Sequence, residues 1–269
     1  MNSIKRVLTI AGSDSGGGAG IQADLKTITV LGGFGMSVIT ALTAQNTMGV
    51  HAIHEVPTAF IAAQFDAVAT DIGVDAAKTG MLASPAIMRI VVEKIRQYGI
   101  KKLVIDPVMV AKGGTALMDP GGRNVLMKEL LPLALVATPN IPEAEILTDI
   151  IIASVSDMKA AAKIIHDLGV PHVIVKGGHL IGAAVDVLYD GRDFYEFPFE
   201  RIVTKDTHGT GCTFSAAIAT GLAKGMTVQA AVAEAEAYIA IAIRHALRLG
   251  AGHGPTNHLA YLYHQDNKG

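Results

Sequence analysis

Short apolar runs with β-strand character alternate with helical runs along most of this chain. A strand followed by a helix and another strand favours a parallel sheet with helices on both faces. The sequence therefore predicts an α/β fold with a central, mostly parallel sheet. The predicted strands cover residues 7–11, 36–42, 76–79, 103–105, 135–137 and 173–175, and Asp190-Gly191 predicts a hairpin between residues 185–189 and 194–199.

The helical runs have apolar residues at intervals of three and four, and one of them has clear boundary signals. Ser84 is placed as its N-cap, Pro85 takes the first helical position and Gly99 follows its last turn. Its predicted inner face consists of Ile87, Ile90, Val91, Ile95 and Tyr98. Further helices are predicted at residues 21–31, around 61–72, near 124–131, from 156 to about 169, at 212–224 and at 228–249.

Composition narrows the class of protein. Hydrophobic residues make up 50% of the 269 residues and charged residues 17%, which indicates a globular chain, and we expect residues 1–269 to form one domain. The net charge is -2 and no basic tract occurs, so nucleic acid is not an expected partner. A single cysteine excludes an intrachain disulfide and fits a reducing cytoplasm. No run of eighteen apolar residues occurs, so no membrane partner is expected.

Polar residues follow several of the predicted strands, at the edge where α/β sheets bind ligands. Gly12 and Asp14 follow the first strand, and Gln45 and Asn46 follow the second. The ends of three later strands carry Asp106, Asn140 and Lys176. We expect these residues to converge on one site.

Residues 206–215 contain the strongest candidate for an anion site. Gly209 and Gly211 open a helical run, where free backbone N–H groups and the helix dipole favour phosphate. The only cysteine, Cys212, lies at the same helix start, where the dipole is expected to lower its pKa. Cys212 is therefore a candidate proton acceptor or nucleophile. A glycine-rich turn with an inert cysteine is the alternative.

Asp106, Asn140 and Glu143 have the chemistry of a hydrated Mg²⁺ site, since carboxylate and amide oxygens suit this ion. Lys176, which precedes two glycines, could neutralise the charge of a triphosphate. The alternatives are a turn cap for Asp106, a helix cap for Glu143 and a solvated surface position for Lys176.

A small polar heterocycle is the expected second ligand. Asp24 and Gln45 are candidates for reading it, because an amide offers both a donor and an acceptor. Met81 and Val108 could form the walls of that pocket, although both would also suit a core and Gln45 could be a loop residue. Two further expectations are a lid at Lys112, Gly113 and Gly114, and a plain loop position for His208.

Common nucleotide and hydrolase motifs are absent. The glycine loop at residues 12–20 lacks the Gly-Lys-Ser/Thr of a P-loop. Neither glycine loop has Gly-x-Gly-x-x-Gly in register, and no Gly-x-Ser-x-Gly elbow is found.

Several long motifs in the same order resemble those of the hydroxymethylpyrimidine/phosphomethylpyrimidine kinases, a branch of the ribokinase-like superfamily. The resemblance covers residues 6–258 approximately. Its motifs are GSDSGGGAGIQADLKT at residues 12–27, TAQNT at 43–47, KTGML at 78–82, DPVMVAKGG at 106–114, TPNIPEAE at 138–145, VKGGH at 175–179 and DTHGTGCTFS at 206–215.

The resemblance implies a three-layer α/β/α sandwich, homodimerisation and an enzyme of thiamin biosynthesis that uses ATP and Mg²⁺ twice. It would phosphorylate 4-amino-5-hydroxymethyl-2-methylpyrimidine and then the resulting monophosphate. The implied roles fall on matching positions of this chain. The pyrimidine pocket would contain Gly12, Asp24, Gln45, Met81 and Val108; Mg²⁺ would lie at Asp106 and Glu143; ATP would contact Asn140, Lys176, Thr207 and Thr210; and Gly209, Gly211 and Cys212 would form the anion hole and supply the base.

Three alternatives stay open at this point. A pyridoxine/pyridoxal kinase of the same branch would bind a similar ring, although Gln45 favours an aminopyrimidine. A dinucleotide-dependent oxidoreductase lacks its glycine fingerprint here. A non-catalytic binder would not need Asp106, Glu143 and Cys212 together.

Overall fold

A nine-stranded sheet runs through the described part of the chain, with strand order β3-β2-β1-β4-β5-β6-β7-β8-β9. The computed structural model describes residues 4–110, 114–119, 121–180 and 184–266. Strands β2, β1, β4, β5, β6 and β7 are parallel, whereas β3, β8 and β9 pair antiparallel at the two sides. The strands are β1 (Arg6–Asp14), β2 (Phe34–Asn46), β3 (Gly49–Glu55), β4 (Ala76–Thr79), β5 (Leu103–Ile105), β6 (Val136–Ala137), β7 (His172–Val175), β8 (Val185–Tyr189) and β9 (Phe194–Pro198).

Helices cover both faces of this sheet. Within the described ranges they are α1 (Gly20–Val30), α2 (Thr58–Asp71), α3 (Pro85–Gln97), α4 (Gly122–Val125), α5 (Ile141–Thr148), α6 (Val155–Asp167), α7 (Thr210–Ala223), α8 (Val228–Arg244) and α9 (Ala260–Asp266). None of the helices described is long and apolar enough to cross a membrane.

Two hydrophobic cores lie on opposite faces because side chains alternate along each strand. In β5, Leu103 and Ile105 belong to one core and Val104 to the other. The first core includes Phe65 of α2 and Ile165 of α6, among others. The second contains Ile28, Phe214, Val232 and Tyr238, which come from α1, α7 and α8. The predicted three-layer α/β/α arrangement is confirmed.

Helix α3 shows how local sequence produced a correct prediction. Pro85 takes the first helical position and Gly99, with a φ of 59°, follows the end. The buried positions are Ile87, Met88, Val91, Val92, Lys94 and Ile95, so Met88 and Val92 join the predicted face, whereas the predicted Ile90 and Tyr98 are half-buried.

The structure differs from the sequence prediction at several element boundaries. Strand β3 and helix α9 were not predicted; residues 51–55 of β3 are all exposed, so no apolar alternation marks them. Helix α8 ends at Arg244 rather than at residue 249, because the chain turns so that Leu247 N–H bonds to Pro255. The N-cap of α6 is Ser154, whose hydroxyl accepts from the Asp157 N–H. For the predicted lid, Lys112 and Gly113 lie outside the described residues.

Two adjacent isoleucines in α6 test the core assignment. Ile165 has no exposed surface, whereas Ile164 is 37% exposed. We expect Ile165→Ala to lower the free energy of unfolding by about 2–5 kcal/mol, because it leaves a cavity in the first core. Ile164→Ala, the matched control, should cost less than about 1 kcal/mol. Urea unfolding measures both, and equal losses would contradict this packing.

Candidate active site

Three of the polar residues that follow the parallel strands, Asp106, Asn140 and Lys176, lie together at one edge of the sheet. Lys176, after β7, lies 3.0 Å from Asp106, after β5, measured from Nζ to Oδ1. Asn140, after β6, pairs with Lys176 as a parallel bridge, and the Lys176 N–H bonds to Pro139 O. The strand order places β6 between β5 and β7, which is why these three residues lie next to one another.

The two glycine loops of the sequence touch each other directly. Asp14 organises the first loop, because its carboxylate accepts N–H bonds from Gly16, Gly18 and Ala19 at 2.8–3.0 Å. Gly209, the N-cap of α7, has a φ of 81°, and a Cβ added there would lie 1.8 Å from Gly18 O. Only glycine fits at position 209, and its approach brings the start of α7 against the first loop.

The N-terminus of α7 adjoins the Asp106–Lys176 pair. A Cβ added at Gly211 would lie 3.4 Å from Lys176 Nζ and 3.5 Å from Asp106 Oδ2. The first N–H groups of a helix lack intrahelical acceptors and attract anions. An anion bound by this helix start would therefore lie beside a lysine and a carboxylate.

Asp106, Lys176 and Glu143 form a buried charged group. Asp106 also accepts a bond from the Thr138 hydroxyl at 3.2 Å. Glu143 belongs to a capping box, in which Asn140 Oδ1 accepts from the Glu143 N–H and Glu143 Oε2 accepts from the Asn140 N–H, both at 2.9 Å. Burial raises the pKa of Glu143 to about 7; Lys176 opposes the rise and Asp106 adds to it. Glu143 is thus both a cap, the alternative reading, and a member of the site.

The expectation that Asp24 reads the substrate needs correction. Asp24 has no exposed surface, and its carboxylate is held by Lys78 at 2.9 and 3.0 Å and by Thr9 at 2.5 Å. It therefore lies beneath the site rather than in a pocket. Burial acts to lower the pKa of Lys78, but the charges of Asp24, Cys212 and Asp106 outweigh it and raise that pKa.

The pKa of the Cys212 thiol also differs from its prediction. The thiol is half-buried, and the Gly20 N–H at the start of α1 donates a hydrogen bond to its sulfur. Burial nevertheless raises its pKa to about 11, against the lowering effect of Lys78; Asp24 and Asp106 raise it further. The pKa of Cys212 is therefore raised, opposite to the predicted direction, and burial of the thiol is the main cause.

The other residues predicted to form the pyrimidine pocket lie at three separate positions. A Cβ added at Gly12 would lie 3.1 Å from Met81 Sδ, so these two residues face each other. Val108 is beside Asp106 and lines a small cavity with Gly80 and Leu82. Gln45 is half-buried near His208, with its amide nitrogen 3.3 Å from His208 Nε2.

Comparison with known proteins gives this arrangement a family. A sequence profile described as Phosphomethylpyrimidine kinase matches residues 14–257. The chain belongs to the phosphomethylpyrimidine kinase family.

Relatives support the same assignment. The chain is 48% identical over 261 residues to the hydroxymethylpyrimidine/phosphomethylpyrimidine kinase of Bacillus subtilis, covering 96% of both chains. It is 57% identical over 254 residues to the thiamine biosynthesis bifunctional protein ThiED of Geobacter sulfurreducens, covering 94% of this chain but 52% of that protein. The chain thus spans about half the length of that bifunctional relative.

Solved structures show the same fold. An ADP complex of Bacillus subtilis pyridoxal kinase has a TM-score of 0.90 and 43% identity, covering 97% of this chain and 99% of that one. The phosphomethylpyrimidine kinase of Clostridium difficile has a TM-score of 0.79 and 47% identity, with 87% and 97% covered. Structural neighbours of this kind have the ribokinase-like fold, so the predicted fold class is confirmed.

The two threonines predicted to contact ATP, Thr207 and Thr210, have different surroundings in this chain. The Thr210 hydroxyl donates to Thr207 O at 2.7 Å, so it shapes the loop before any ligand arrives. Thr207 is half-buried. Their predicted contact with ATP stays a prediction, as do the roles of Gly209 and Gly211.

Sequence reasoning missed two residues of this kinase site. Lys78 lies in the buried strand β4, and a lysine flanked by buried residues is itself a signal of a buried ion pair. His208 was read as a plain loop residue, but its Nε2 lies 2.8 Å from Asp14 Oδ2. No cluster of three or more His, Cys, Asp or Glu suited to a metal occurs among the residues described, either at this site or elsewhere.

Because Cys212 is the only cysteine, thiol chemistry reports on it alone. Only the thiolate reacts with iodoacetamide. With a pKa of about 11, the alkylation rate of the native protein should rise about tenfold per pH unit, and it should not level off below about pH 10. Mass spectrometry at a series of pH values measures this rate. The urea-unfolded chain is the control and should level off near the ordinary thiol pKa of about 8.5. A native plateau below about pH 8 would show that the helix termini dominate after all.

Proposed function

We propose that this chain transfers the γ-phosphate of ATP to 4-amino-5-hydroxymethyl-2-methylpyrimidine, and then phosphorylates that monophosphate to the diphosphate, in thiamin biosynthesis. The observation that carries the proposal is the meeting of three groups at one sheet edge. These are the start of α7, the Asp106–Lys176 pair and the Cys212 thiol. Phosphoryl transfer needs mainly positioning and charge neutralisation, which these groups supply. Family membership and the names of the relatives support the same activity.

The phosphates of ATP are assigned to the start of α7 and to Lys176. The Lys176 ammonium is paired with Asp106, and their charges cancel. A triphosphate would compete for Lys176 and leave a carboxylate oxygen of Asp106 available. Asn140, Thr207 and Thr210 are assigned to ATP as well, Asn140 because it lies next to Lys176.

The donor set fits a hydrated Mg²⁺. This ion keeps several waters and takes one or two carboxylates together with substrate phosphates. Asp106 and Glu143 are the two carboxylates, and Asp106 Oδ2 faces Gly211 at the start of α7. When bound, Mg²⁺ would neutralise charge on the phosphates.

Cys212 is assigned as the base of the first phosphorylation. Its thiol must first lose its proton to solvent, and the thiolate then takes the hydroxyl proton of the substrate. The hydroxymethyl oxygen forms a bond to the γ-phosphorus, and the bond from that phosphorus to ADP breaks. The second acceptor is a phosphate oxygen that is already ionised, so this step needs Cys212 less.

Gly12, Gln45, Met81 and Val108 are assigned to the pyrimidine pocket, and Asp24 is assigned to the support of Lys78. We also assign residues 1–269 to one kinase domain, since a single sheet contains the strands from Arg6 to Pro198 and the later helices α7 and α8 pack in one core with it. The single cysteine favours the cytoplasm.

Pyridoxal is the second candidate acceptor, because a pyridoxal kinase of known structure overlaps this chain closely. Gln45 favours the aminopyrimidine, since its amide can pair with an amino group and the neighbouring ring nitrogen.

A kinase assay with Mg·ATP tests the function. Hydroxymethylpyrimidine, its monophosphate and pyridoxal are supplied separately, and ADP release is measured. We expect turnover of both pyrimidines with kcat/KM well above that of pyridoxal. Turnover of pyridoxal alone would contradict the proposal.

In the same assay, Cys212→Ala should lower kcat for hydroxymethylpyrimidine by about 10²–10⁴-fold, the usual contribution of a general base. The loss for the monophosphate should be much smaller, and ATP should still bind by calorimetry. Equal losses for the two acceptors would remove the base assignment.

Homodimerisation is assigned to the ribbon formed by the ends of β2 and β3. Strand β3 is a sheet edge, and the cross-strand face that contains Leu42, Ala44, Ala52 and His54 is exposed. A two-stranded ribbon with an open apolar face is marginally stable, and a second copy of this chain would cover it in a self-complementary contact.

Sedimentation velocity tests this surface. Leu42 is 47% exposed, and we expect Leu42→Glu to shift a dimer toward monomer because it places a charge within the contact. Val203→Glu is the control, since it places the same charge at a fully exposed apolar position outside the ribbon. A monomeric wild type, or a dimer unaffected by Leu42→Glu, would remove the assignment.

A further inference from the structure

His208 joins the first glycine loop to the side chain of Gln45. Its Nε2 atom lies 2.8 Å from Asp14 Oδ2 and 3.3 Å from the amide nitrogen of Gln45. The imidazole is mostly buried, with 12% of the side chain exposed, and Asp14 is 3% exposed. Contacts of this kind in a buried position constrain where the hydrogens lie.

Asp14 decides the proton on His208. An ionised carboxylate can only accept hydrogen bonds, and Asp14 also accepts from Gly16, Gly18 and Ala19. Burial acts to raise the pKa of Asp14, but the bonds from His208 and the backbone outweigh it and hold that pKa below its ordinary value. The 2.8 Å contact therefore requires a hydrogen on Nε2 of His208.

That hydrogen fixes the orientation of the Gln45 amide. A protonated Nε2 has no lone pair left, so it cannot accept from an amide NH₂ at 3.3 Å. The amide oxygen must take that position instead, which the similar shape of the two amide ends permits.

Thr43 supports the same orientation from the other side. Its hydroxyl has one hydrogen and lies 2.9 Å from Ser13 O and 3.1 Å from the other end of the Gln45 amide. The Ser13 carbonyl can only accept, so it takes the hydroxyl hydrogen. Thr43 Oγ1 then accepts from the Gln45 NH₂, and the one Nε2 hydrogen of His208 is shared between Asp14 Oδ2 at 2.8 Å and the Gln45 amide oxygen at 3.3 Å, in a three-centre bond.

We propose that His208 is a positioning residue for substrate specificity: held as an Nε2–H donor by Asp14, it locks the Gln45 amide with its oxygen toward His208 and its NH₂ toward Thr43. The inference rests on the proposed function. The locked amide offers a ligand one lone pair of its oxygen, on the His208 side, and one N–H, on the Thr43 side. The order of acceptor and donor is therefore fixed. This order suits a ring with an amino group beside a ring nitrogen, and it disfavours a ring with an acceptor in place of the amino group.

His208 also connects ring recognition to the phosphate loop. It directly precedes Gly209, and its backbone bonds to Gly254 and Thr256 hold it in place. A Cβ at Gly18 would lie 2.4 Å from His208 Cδ2, so glycine at position 18 permits this placement of the imidazole.

Two acceptors and two variants test the proposal. The acceptors are hydroxymethylpyrimidine and its analogue without the 4-amino group. His208→Leu removes the donor, whereas His208→Gln returns an N–H of similar reach. We expect His208→Leu to lower kcat/KM for hydroxymethylpyrimidine by about tenfold, mainly through KM, and to change that of the analogue by less than about threefold, as expected for one hydrogen bond. His208→Gln should restore most of the loss.

Gln22→Met is the matched control for disturbance of the loop. Gln22 bonds to the Asp14 N–H and to Ser13 Oγ, so this variant perturbs the loop without removing the His208 donor. It should change both acceptors by the same factor. Equal losses for both acceptors in His208→Leu would show a merely structural role and overturn the proposal.

An NMR measurement needs no substrate and stays valid if the proposed function fails. Long-range ¹H–¹⁵N correlation of histidine-labelled protein identifies which ring nitrogen carries hydrogen, with His208 assigned from the signals lost in His208→Gln. We expect hydrogen on Nε2. An unprotonated Nε2 would overturn the proposal whatever the enzyme phosphorylates.

Discussion

The close contact between two glycine loops is the constraint on which the rest of the site depends. Gly209 must be left-handed and without a side chain, because Gly18 O occupies the space of a Cβ. Gly20 has a similar restriction, since its φ is 55° and its Cβ would lie 2.3 Å from Gly12 O. These contacts place the starts of α1 and α7 side by side, and Cys212 lies where they meet. The same contact brings His208 to Asp14.

Charge compensation is the second organising feature. Lys78 pairs with Asp24 under the site, and Lys176 pairs with Asp106 at its surface. Buried charges of one sign would be costly without these partners, so the pairing keeps the site close to neutral. Cys212 remains a thiol in this setting, and Glu143 has a pKa of about 7. The arrival of a nucleotide changes this balance, and we infer that Lys176, as the more accessible cation, responds first.

The sequence predicted the sheet edge well and the interior of the site poorly. Asp106, Asn140 and Lys176 were found because they directly follow buried strands, and parallel strands bring such positions together. The role of Asp24 was wrongly predicted, because the sequence of a helix does not show whether a polar residue faces a pocket or a buried lysine. Lys78 was missed although a lysine within an apolar strand is itself a sign of a buried ion pair. The predicted direction of the Cys212 pKa shift was wrong, because a helix start can be recognised in the sequence whereas the extent of burial cannot. Strand β3 escaped notice since its exposure removes any apolar pattern.

We assign Gln45, Cys212 and the start of α7 to one substrate. A crystal structure with hydroxymethylpyrimidine, Mg²⁺ and a non-hydrolysable ATP analogue would test this assignment. We expect the ring amino group at the Gln45 amide oxygen, the hydroxymethyl oxygen within hydrogen-bond distance of Cys212 Sγ, and the terminal phosphate at the N–H groups of Gly211 and Cys212. A ring bound away from Gln45, or a terminal phosphate that does not reach α7, would contradict it.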